Sequence, residues 1–540
     1  MIRKLALVIA IGVAHSAVAQ TFTSSNLPIV IINTGGQPIP NEPKITADMG
    51  IIYNGPGQVN NISDPPNEYN GKIGIELRGS TSQQLSPKKP YGIELRDGAG
   101  ADIEAPLLGM PAGDDWVLIA PYSDKSLMRD VLTYIVARGM MDWAPRTRFC
   151  EVVLNGAYMG VFALIEKIER GKDRVDIAKL TPEEISGDDV TGGYILKLDK
   201  TEGGGAVAGW YSEHPSATGS VSYFQYEYPK PEVIMPQQKA YIQNFVNSFE
   251  DALKGPDYLD PDIGYARYMD EASFVDFLLV NELTRNVDGY RLSTFLYKDK
   301  DSKNPRMKMG PVWDFNITLG NANYCDGGLT TGWAYRFNAV CPGDFWQVPF
   351  WWERLLGSPL FRSRVVNRWR ELREEHLSDA NLLRLVDSLN TDLGAASARN
   401  FQRWPILSSW IWPNNFVGGS YSAEVNYLKN WITQRTAWLD LAMEDLTKPS
   451  YNADEYFEPV QFPNPAEADV NFDYYVRDYE YVKIKVYDSW GHSVEVLEDR
   501  SHPNGYNRLT WNPTSLNTGI YLFQVLINER VATTGKFFRP

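Results

Sequence analysis

The hydrophobic pattern changes period near residue 235, and that change restricts the chain to a mixed fold with strands and helices segregated along it. Before it, short segments alternate apolar and polar residues: "KIGIELRG" (72–79), "YGIELRD" (91–97), "DWVLIAP" (115–121), "FCEVVLNG" (149–156), "YMGVFALIEKI" (158–168) and "GGYILKLD" (192–199). A two-residue period buries one face of a strand, so these segments predict an antiparallel sheet. Asn155-Gly156 supplies a tight turn, and "SLMRDVLTYIVARGM" supplies one inserted helix. Residues 21–45, with "TGGQPIPNEP", read as loop. After residue 235 the apolar positions follow helical spacing: Ile242, Phe245, Val246, Phe249 and Leu253, then Phe274, Phe277 and Leu278. Leu382, Leu385, Leu389 and Leu393 continue it, as do Val425, Leu428, Trp431, Ile432, Trp438 and Leu439. Beyond Leu446 a polar, Pro-rich linker (447–462) leads to short alternating strands over 463–540, the pattern of a small β-sandwich. The expected fold class is therefore α+β.

The first residues, "MIRKLALVIAIGVAHSAVAQ", combine Arg3 and Lys4, an apolar run over Leu5–Val13, and Ala17-Val18-Ala19. That is the pattern of a secretory signal peptide over 1–19, cut after Ala19. No later run reaches the roughly 18 apolar residues of a membrane span, so no transmembrane segment is expected. A net charge of −15 over 540 residues argues against a nucleic-acid partner and against adhesion to anionic membranes. Export permits disulfides. Of three cysteines, Cys325 and Cys341 flank a turn-rich loop and form the better pair, two free thiols being the alternative. Cys150 reads as a small core residue.

Most familiar catalytic patterns are missing. The sequence has no phosphate-loop motif, no HExxH and no G-x-S-x-G. "GGGAVA" (203–208) has the spacing of a dinucleotide turn but no following helix, so it reads as a flexible loop. His214, His376, His492 and His502 lie far apart, which leaves little basis for a histidine triad.

Two carboxylates and a basic hairpin remain. Asp288 follows an apolar helix in "NELTRNVDGYRLSTFLYKD", and Asp314 ends "MKMGPVWDF". The strands between them are joined by a charged loop around 300–304, and a hairpin there brings both carboxylates to one rim. The competing reading is that each caps a local turn. Upstream, "IELRGSTSQQLSPKKPYGIELRD" sets a Gly/Ser/Thr turn between two strands, with Arg78 at one end and Lys88-Lys89 at the other. Backbone N–H groups and a lysine in such a loop can hold phosphate oxygens, although a solvated hairpin has the same composition. Together, a loop-plus-lysine and two aspartates make the layout that phosphoryl transfer needs.

At these residues the chain resembles the spore coat protein H (CotH) kinase family. The matching segments are the basic hairpin, "DDWVLIAPYSDKSLMRDVL", "EVVLNGAYMGVFALIEKIER", "GGYILKLDK", "FLLVNELTRNVDGYRLSTFLYKD" and "MGPVWDFNITLGN". The resemblance implies a CotH-like domain over 20–446, with an atypical protein-kinase-like two-lobed fold, a β-rich lobe and a helical lobe. ATP and Mg²⁺ (or Mn²⁺) are then the implied cofactors. Asp288 becomes the catalytic aspartate and Asp314 the metal ligand, with Asn316 nearby. Lys88 or Lys89, with Lys89 slightly preferred, contacts ATP phosphates beneath Arg78, Gly79 and Ser80, and Glu166 partners the lysine or the metal. One departure stands out. Many family members carry an Asn five residues after the catalytic Asp, and here that position is Ser293, a shorter metal ligand. The C-terminal "VKIKVYDSWGHSV", "NRLTWNPTSLNTGIYLFQV" and "TGKFF" resemble a type IX secretion sorting domain. The implied protein is an exported or cell-surface kinase acting on Ser/Thr of secreted or surface proteins, with the secretion machinery as a further partner. The alternative is a noncatalytic adhesion or matrix-assembly protein on a pseudokinase scaffold, with the aromatic-rich residues after 330 lining a groove instead of a core.

Overall fold

The structure, a computed structural model, describes residues 22–200, 208–447, 465–466, 469–476, 480–502, 505–527 and 530–540. The expected signal peptide, nearly all of the 447–462 linker and most of the "GGGAVA" loop lie outside the described residues. The chain divides into two compact units, the first holding residues 1–121, 148–165 and 390–409 and the second the remainder.

Unit 1 is built on a closed seven-stranded barrel. Its strands are β1 (Ile29–Asn33), β2 (Ile45–Ile52), β3 (Tyr69–Leu77), β4 (Tyr91–Arg96), β5 (Asp115–Ile119), β6 (Thr147–Leu154) and β7 (Ala157–Glu166). Around the barrel they run β6-β7-β5-β4-β3-β2-β1, and a parallel pairing of β6 with β1 closes the ring, Glu151 opposite Ile29 and Leu154 opposite Ile32. Alternate residues fill the interior, as the two-residue period requires: Val30 and Ile32, Met49 and Ile51, Ile73 and Ile75, Ile93 and Leu95, Trp116 and Leu118, Cys150 and Val152. Burying such a side chain stabilises by about 1.5–3 kcal/mol. Two expectations need correction. The strands form a barrel and not an open antiparallel sheet, and the closing strand β1 lies inside the stretch read as loop. Its sequence "IVIIN" does not alternate because both faces are covered. Val30 and Ile32 point into the barrel, while Ile29 packs outside with Ile52, Val153 and Tyr158.

Unit 2 contains a five-stranded sheet in the order β9-β10-β8-β11-β12, made of β8 (Tyr194–Leu198), β9 (Gly209–Tyr211), β10 (Tyr223–Tyr228), β11 (Thr294–Lys298) and β12 (Lys308–Met309). The segment "YILKLD" therefore belongs to this second sheet and not with the upstream strands. The longer helices are α1 (Arg129–Arg138), α2 (Pro236–Lys254), α3 (Glu271–Thr284), α4 (Pro359–Glu374), α5 (Asp379–Arg403), whose residues from 390 onward belong to unit 1, and α6 (Tyr421–Thr447); α2, α5 and α6 carry the expected stripes. α5 leaves helical geometry at Gly394, whose φ is 46°. α3 is central, packing on α1, α4 and α6. Twelve of its fourteen residues, Asp276, Asn281 and Glu282 among them, are buried, so it is enclosed on every side instead of along one stripe. The C-terminal strands form a two-stranded and a four-stranded sheet around one core that includes Phe472, Ile484, Phe523 and Phe537. The whole is α+β. Cys325 and Cys341 form a disulfide, and Cys150 is a free thiol in the barrel core. Among the described residues no helix is long and apolar enough to cross a membrane.

Candidate active site

The site grows from the C-terminal end of α3. Asp270 caps the start of this helix by accepting from the Ser273 amide (3.0 Å), and Arg285 ends it in the left-handed region (φ 45°). Just before that end lies Glu282, a charged residue with 0% side-chain exposure, paired with the equally buried Arg435 at 3.2 Å. Glu282 also accepts from the Tyr290 hydroxyl (2.9 Å) and from the amides of Ala334 (2.7 Å) and Tyr335 (2.8 Å). With every acceptor engaged, the pair pins the 285–293 segment to the helix.

Along that segment and its partner, Arg285, Tyr290 (φ 71°), Ser293 (φ 46°), Asp314 (φ 64°) and Leu319 (φ 49°) are all left-handed L-residues. Each costs on the order of 1–2 kcal/mol, and such residues persist only where surrounding contacts impose them. At Asp314 those contacts come from α1. The Asp314 amide donates to the Tyr134 hydroxyl (3.0 Å), and the Phe315 amide donates to Asp130 Oδ1 (2.7 Å).

The expected hairpin is present: Leu296 pairs with Met309 and Tyr297 with Lys308. Asp288 precedes β11 and Asp314 follows β12, so both leave the sheet at the same end. Asp199 and Lys200 leave it there too, because Leu198 stands opposite Thr294. The proximity registers electrically. Burial pushes the Asp314 carboxyl up to about 7, Asp288 and then Asp199 push it further in the same direction, and Lys200 pulls it down more weakly. Asp314 is an exposed residue, yet crowding by surrounding atoms is the main cause of its shift. Its carboxylate accepts from the Asn316 amide (3.0 Å). Asp130 is raised well above the usual range by burial and then by Asp314.

Asp288 is held differently. Arg291 Nη2 donates to its Oδ1 at 2.7 Å, and the Asp288 amide donates to Asn286 Oδ1 at 3.0 Å.

The chain matches the CotH kinase protein family over residues 75–439, about two-thirds of its length. It belongs to that family. Residues 461–538 match the secretion system C-terminal sorting domain, which marks this CotH-family chain for export. No curated protein matches it. Among solved structures it is similar to the Pseudomonas fluorescens alkylpurine DNA glycosylase AlkC bound to DNA containing an abasic site analog, at 12% identity and a TM-score of 0.12. That likeness covers 38% of this chain and 64% of the other, and it carries no argument.

In this CotH-family protein the other expected site residues are placed as follows. Gly79 has φ 78°, and a Cβ there would come within 2.1 Å of Ser82 Oγ, so the Arg78-Gly79-Ser80 turn requires glycine. Ser80 leads into a short helical turn, Thr81–Leu85. Lys88 has its ammonium buried, donating to Val161 O (2.5 Å) and Asn400 Oδ1 (2.9 Å), and burial lowers it to about 7. Lys89, half-buried, donates to Gln83 O (2.5 Å). Glu166 is fully buried and taken up by Arg146, through the amide (2.8 Å) and the guanidinium (2.9 Å). Ser293 is half-buried beside β11. Among the described residues no group of three or more His, Cys, Asp or Glu is arranged to hold a metal alone. A cavity of about 410 Å³ in unit 2, lined by Trp143, Arg146, Tyr297 and Lys308 among others, includes neither Asp288 nor Asp314. Several of its charges are paired already, Lys308 with Asp142 and Arg146 with Glu166.

Sequence reasoning did not single out Asp199, Lys200, Asp130, Tyr134, Glu282 or Arg291. A signal existed for three of them: "LKLDK" ends an apolar strand on Asp199 and Lys200, and "VNELT" sets Glu282 in a largely apolar helix.

Proposed function

We propose that this protein is an exported kinase that transfers the ATP γ-phosphoryl group to a Ser or Thr hydroxyl of a secreted or surface protein. The observation that carries the reading is that Asp288 and Asp314 leave the β11–β12 hairpin at the same end, close enough that the Asp288 charge raises the Asp314 carboxyl. In this reading Asp288 Oδ1 stays with Arg291 while Oδ2 accepts the proton of the acceptor hydroxyl. The hydroxyl oxygen bonds to the γ-phosphorus, the bond to the β–γ bridging oxygen breaks, and ADP leaves. A divalent cation fits the second carboxylate. Asp314 is an oxygen donor raised to about 7 by crowding and by like charges, and a cation beside it would reverse that shift. Mg²⁺ or Mn²⁺, when bound, neutralises charge on the phosphate oxygens. A single carboxylate with Asn316 suits an ion that takes its remaining ligands from phosphate and water. Arg78, Gly79, Ser80 and Lys89 are the proposed nucleotide-binding residues of unit 1.

The test is transfer from labelled ATP by the mature protein with Mg²⁺ or Mn²⁺. Asp288→Asn and Asp314→Ala should each cost more than about 10³-fold, and transfer that survives both would sink the site.

A second, noncatalytic reading has one observation in its favour. Of the twelve tryptophans after residue 330, five are buried, Trp351, Trp352, Trp369, Trp404 and Trp431, whereas Trp410 and Trp412, like Phe345, are exposed. Binding of a polysaccharide that Trp410→Ala and Trp412→Ala abolish, without ATP-induced stabilisation, would favour it.

A further inference from the structure

Arg291 is a guanidinium almost wholly withdrawn from solvent, 2% exposed at the side chain, yet one of its contacts is the more open Asp288 carboxylate, 25% exposed. Its other bonds run elsewhere. Nε donates to Val287 O (2.9 Å), and Nη1 donates to Asp344 Oδ1 (3.1 Å) and Trp346 O (3.0 Å). The guanidinium lies 4.0 Å from the centre of the Phe337 ring. Three other acceptors and a ring face leave this planar fork one orientation, and in that orientation Nη2 meets Asp288 Oδ1 at 2.7 Å. Its far anchor is itself braced. The Asp344 amide donates to Cys341 O (3.1 Å), Asp344 Oδ1 accepts from the Trp346 amide (2.9 Å), and Cys341 is disulfide-bonded to Cys325.

We infer that Arg291 is a positioning residue. It fixes the rotamer of Asp288 by holding one carboxylate oxygen, and it transmits to Asp288 the rigidity of the disulfide-closed 325–341 loop through Asp344. The inference rests on the proposed role of Asp288 and adds to it the residue that aims the base. A salt bridge made only for stability would not need a guanidinium whose Nε and Nη1 donors are taken up by two backbone carbonyls and by the Asp344 carboxylate beside the disulfide-closed loop. Here the charged pair is oriented from behind, as a reacting group requires.

The experiment compares wild type, Arg291→Ala, Arg291→Lys and Asp344→Asn. Arg291→Ala should lower kcat by about 10²-fold with the KM for ATP unchanged within about twofold. Arg291→Lys should recover part of kcat, Asp344→Asn should lower kcat less than Arg291→Ala, and added guanidinium ion should rescue Arg291→Ala but not Asp288→Asn. Equal loss in kcat/KM through KM alone, or no rescue alongside a lower Tm, would overturn the assignment in favour of a structural pair. A readout independent of turnover is the ¹³C resonance of the Asp288 carboxyl carbon, assigned by its disappearance in Asp288→Asn. It should move in Arg291→Ala at fixed pH and return with guanidinium. A resonance that stays in place would overturn the inference even if no phosphotransfer is found, whereas absent transfer with a moving resonance would reject only the kinase reading.

Discussion

Each unit confines a charge that water would ordinarily surround, and the two units treat it in opposite ways. In unit 1 the Lys88 ammonium is fully buried but supplied with acceptors, Val161 O and Asn400 Oδ1, over the face of Phe162. In unit 2 the Asp314 carboxylate is open to water yet crowded by Asp288 and Asp199, answered by the Asn316 side-chain amide and more weakly by Lys200. Both groups are pushed to about 7, from above and from below. A charge with its partners built in is part of the scaffold. A charge held among like charges is set for something that arrives.

The largest test of this contrast is on turnover. Asp314→Ala should lose more than about 10³-fold in phosphotransfer, whereas Lys88→Met, once folded, should keep its KM for ATP and Lys89→Ala should raise it. A Lys88 variant that lost ATP binding while remaining folded would break the comparison. Next in size, the site-bearing unit depends on a covalent staple. Replacing Cys325 and Cys341 by Ser, a separation of 16 residues, should cost about 3 kcal/mol in urea unfolding and leave a barrel-core probe such as Trp116 unmoved at low urea. Lys88→Met should cost about 1–3 kcal/mol, because the Asn400 and Val161 oxygens lose their donor.

The smallest effect is in pH, and its sign differs between the two charges. For Asp314 the folded pKa lies above the usual 3.8. Between roughly pH 4 and 7 the unfolded chain has released a proton that the folded protein keeps, so stability falls as pH rises through that window. For Lys88 the folded pKa lies below the usual 10.5. From about pH 7 to 10.5 the unfolded chain holds a proton that the folded protein lacks, so stability rises with pH there. Urea midpoints for Asp314→Asn and Lys88→Met should each lose the slope in their own window and retain the other. Added Mg²⁺ should flatten the acidic one in wild type alone.

Much of the fold was legible because period is a local property. The strands at 72–77, 91–96 and 149–154 alternate, and α2 and α6 keep their stripes. What escaped lacks a period. β1 is apolar on both faces, and its partner stands more than a hundred residues away at Glu151–Leu154. α3 is an intermediate case: Phe274, Phe277 and Leu278 keep helical spacing, although burial on every side hides the full extent of the helix. At the candidate site, Asp288 and Asp314 could be expected at one rim because a short hairpin joins them. Asp199, Asp130 and Tyr134 reach Asp314 from a distant strand and from α1, through contacts that leave no spacing to read. Arg291 was visible as a residue but not as a relation, since its other anchor, Asp344, follows a disulfide.

The seam of the barrel has a consequence for how the chain comes to be folded. β1 can pair with β2 within a few dozen residues, but its other edge stays open until residues 151–154 are available. During any head-first emergence, the apolar "IVII" edge is a ready template for a neighbouring chain, and the ring cannot shut on a truncated product. A nascent fragment ending before Glu151 should therefore be sticky and protease-sensitive, while one that extends through β7 and the Asn400 segment becomes resistant. The seam acts as a completion check: the barrel reports, by closing, that the chain has arrived at least that far.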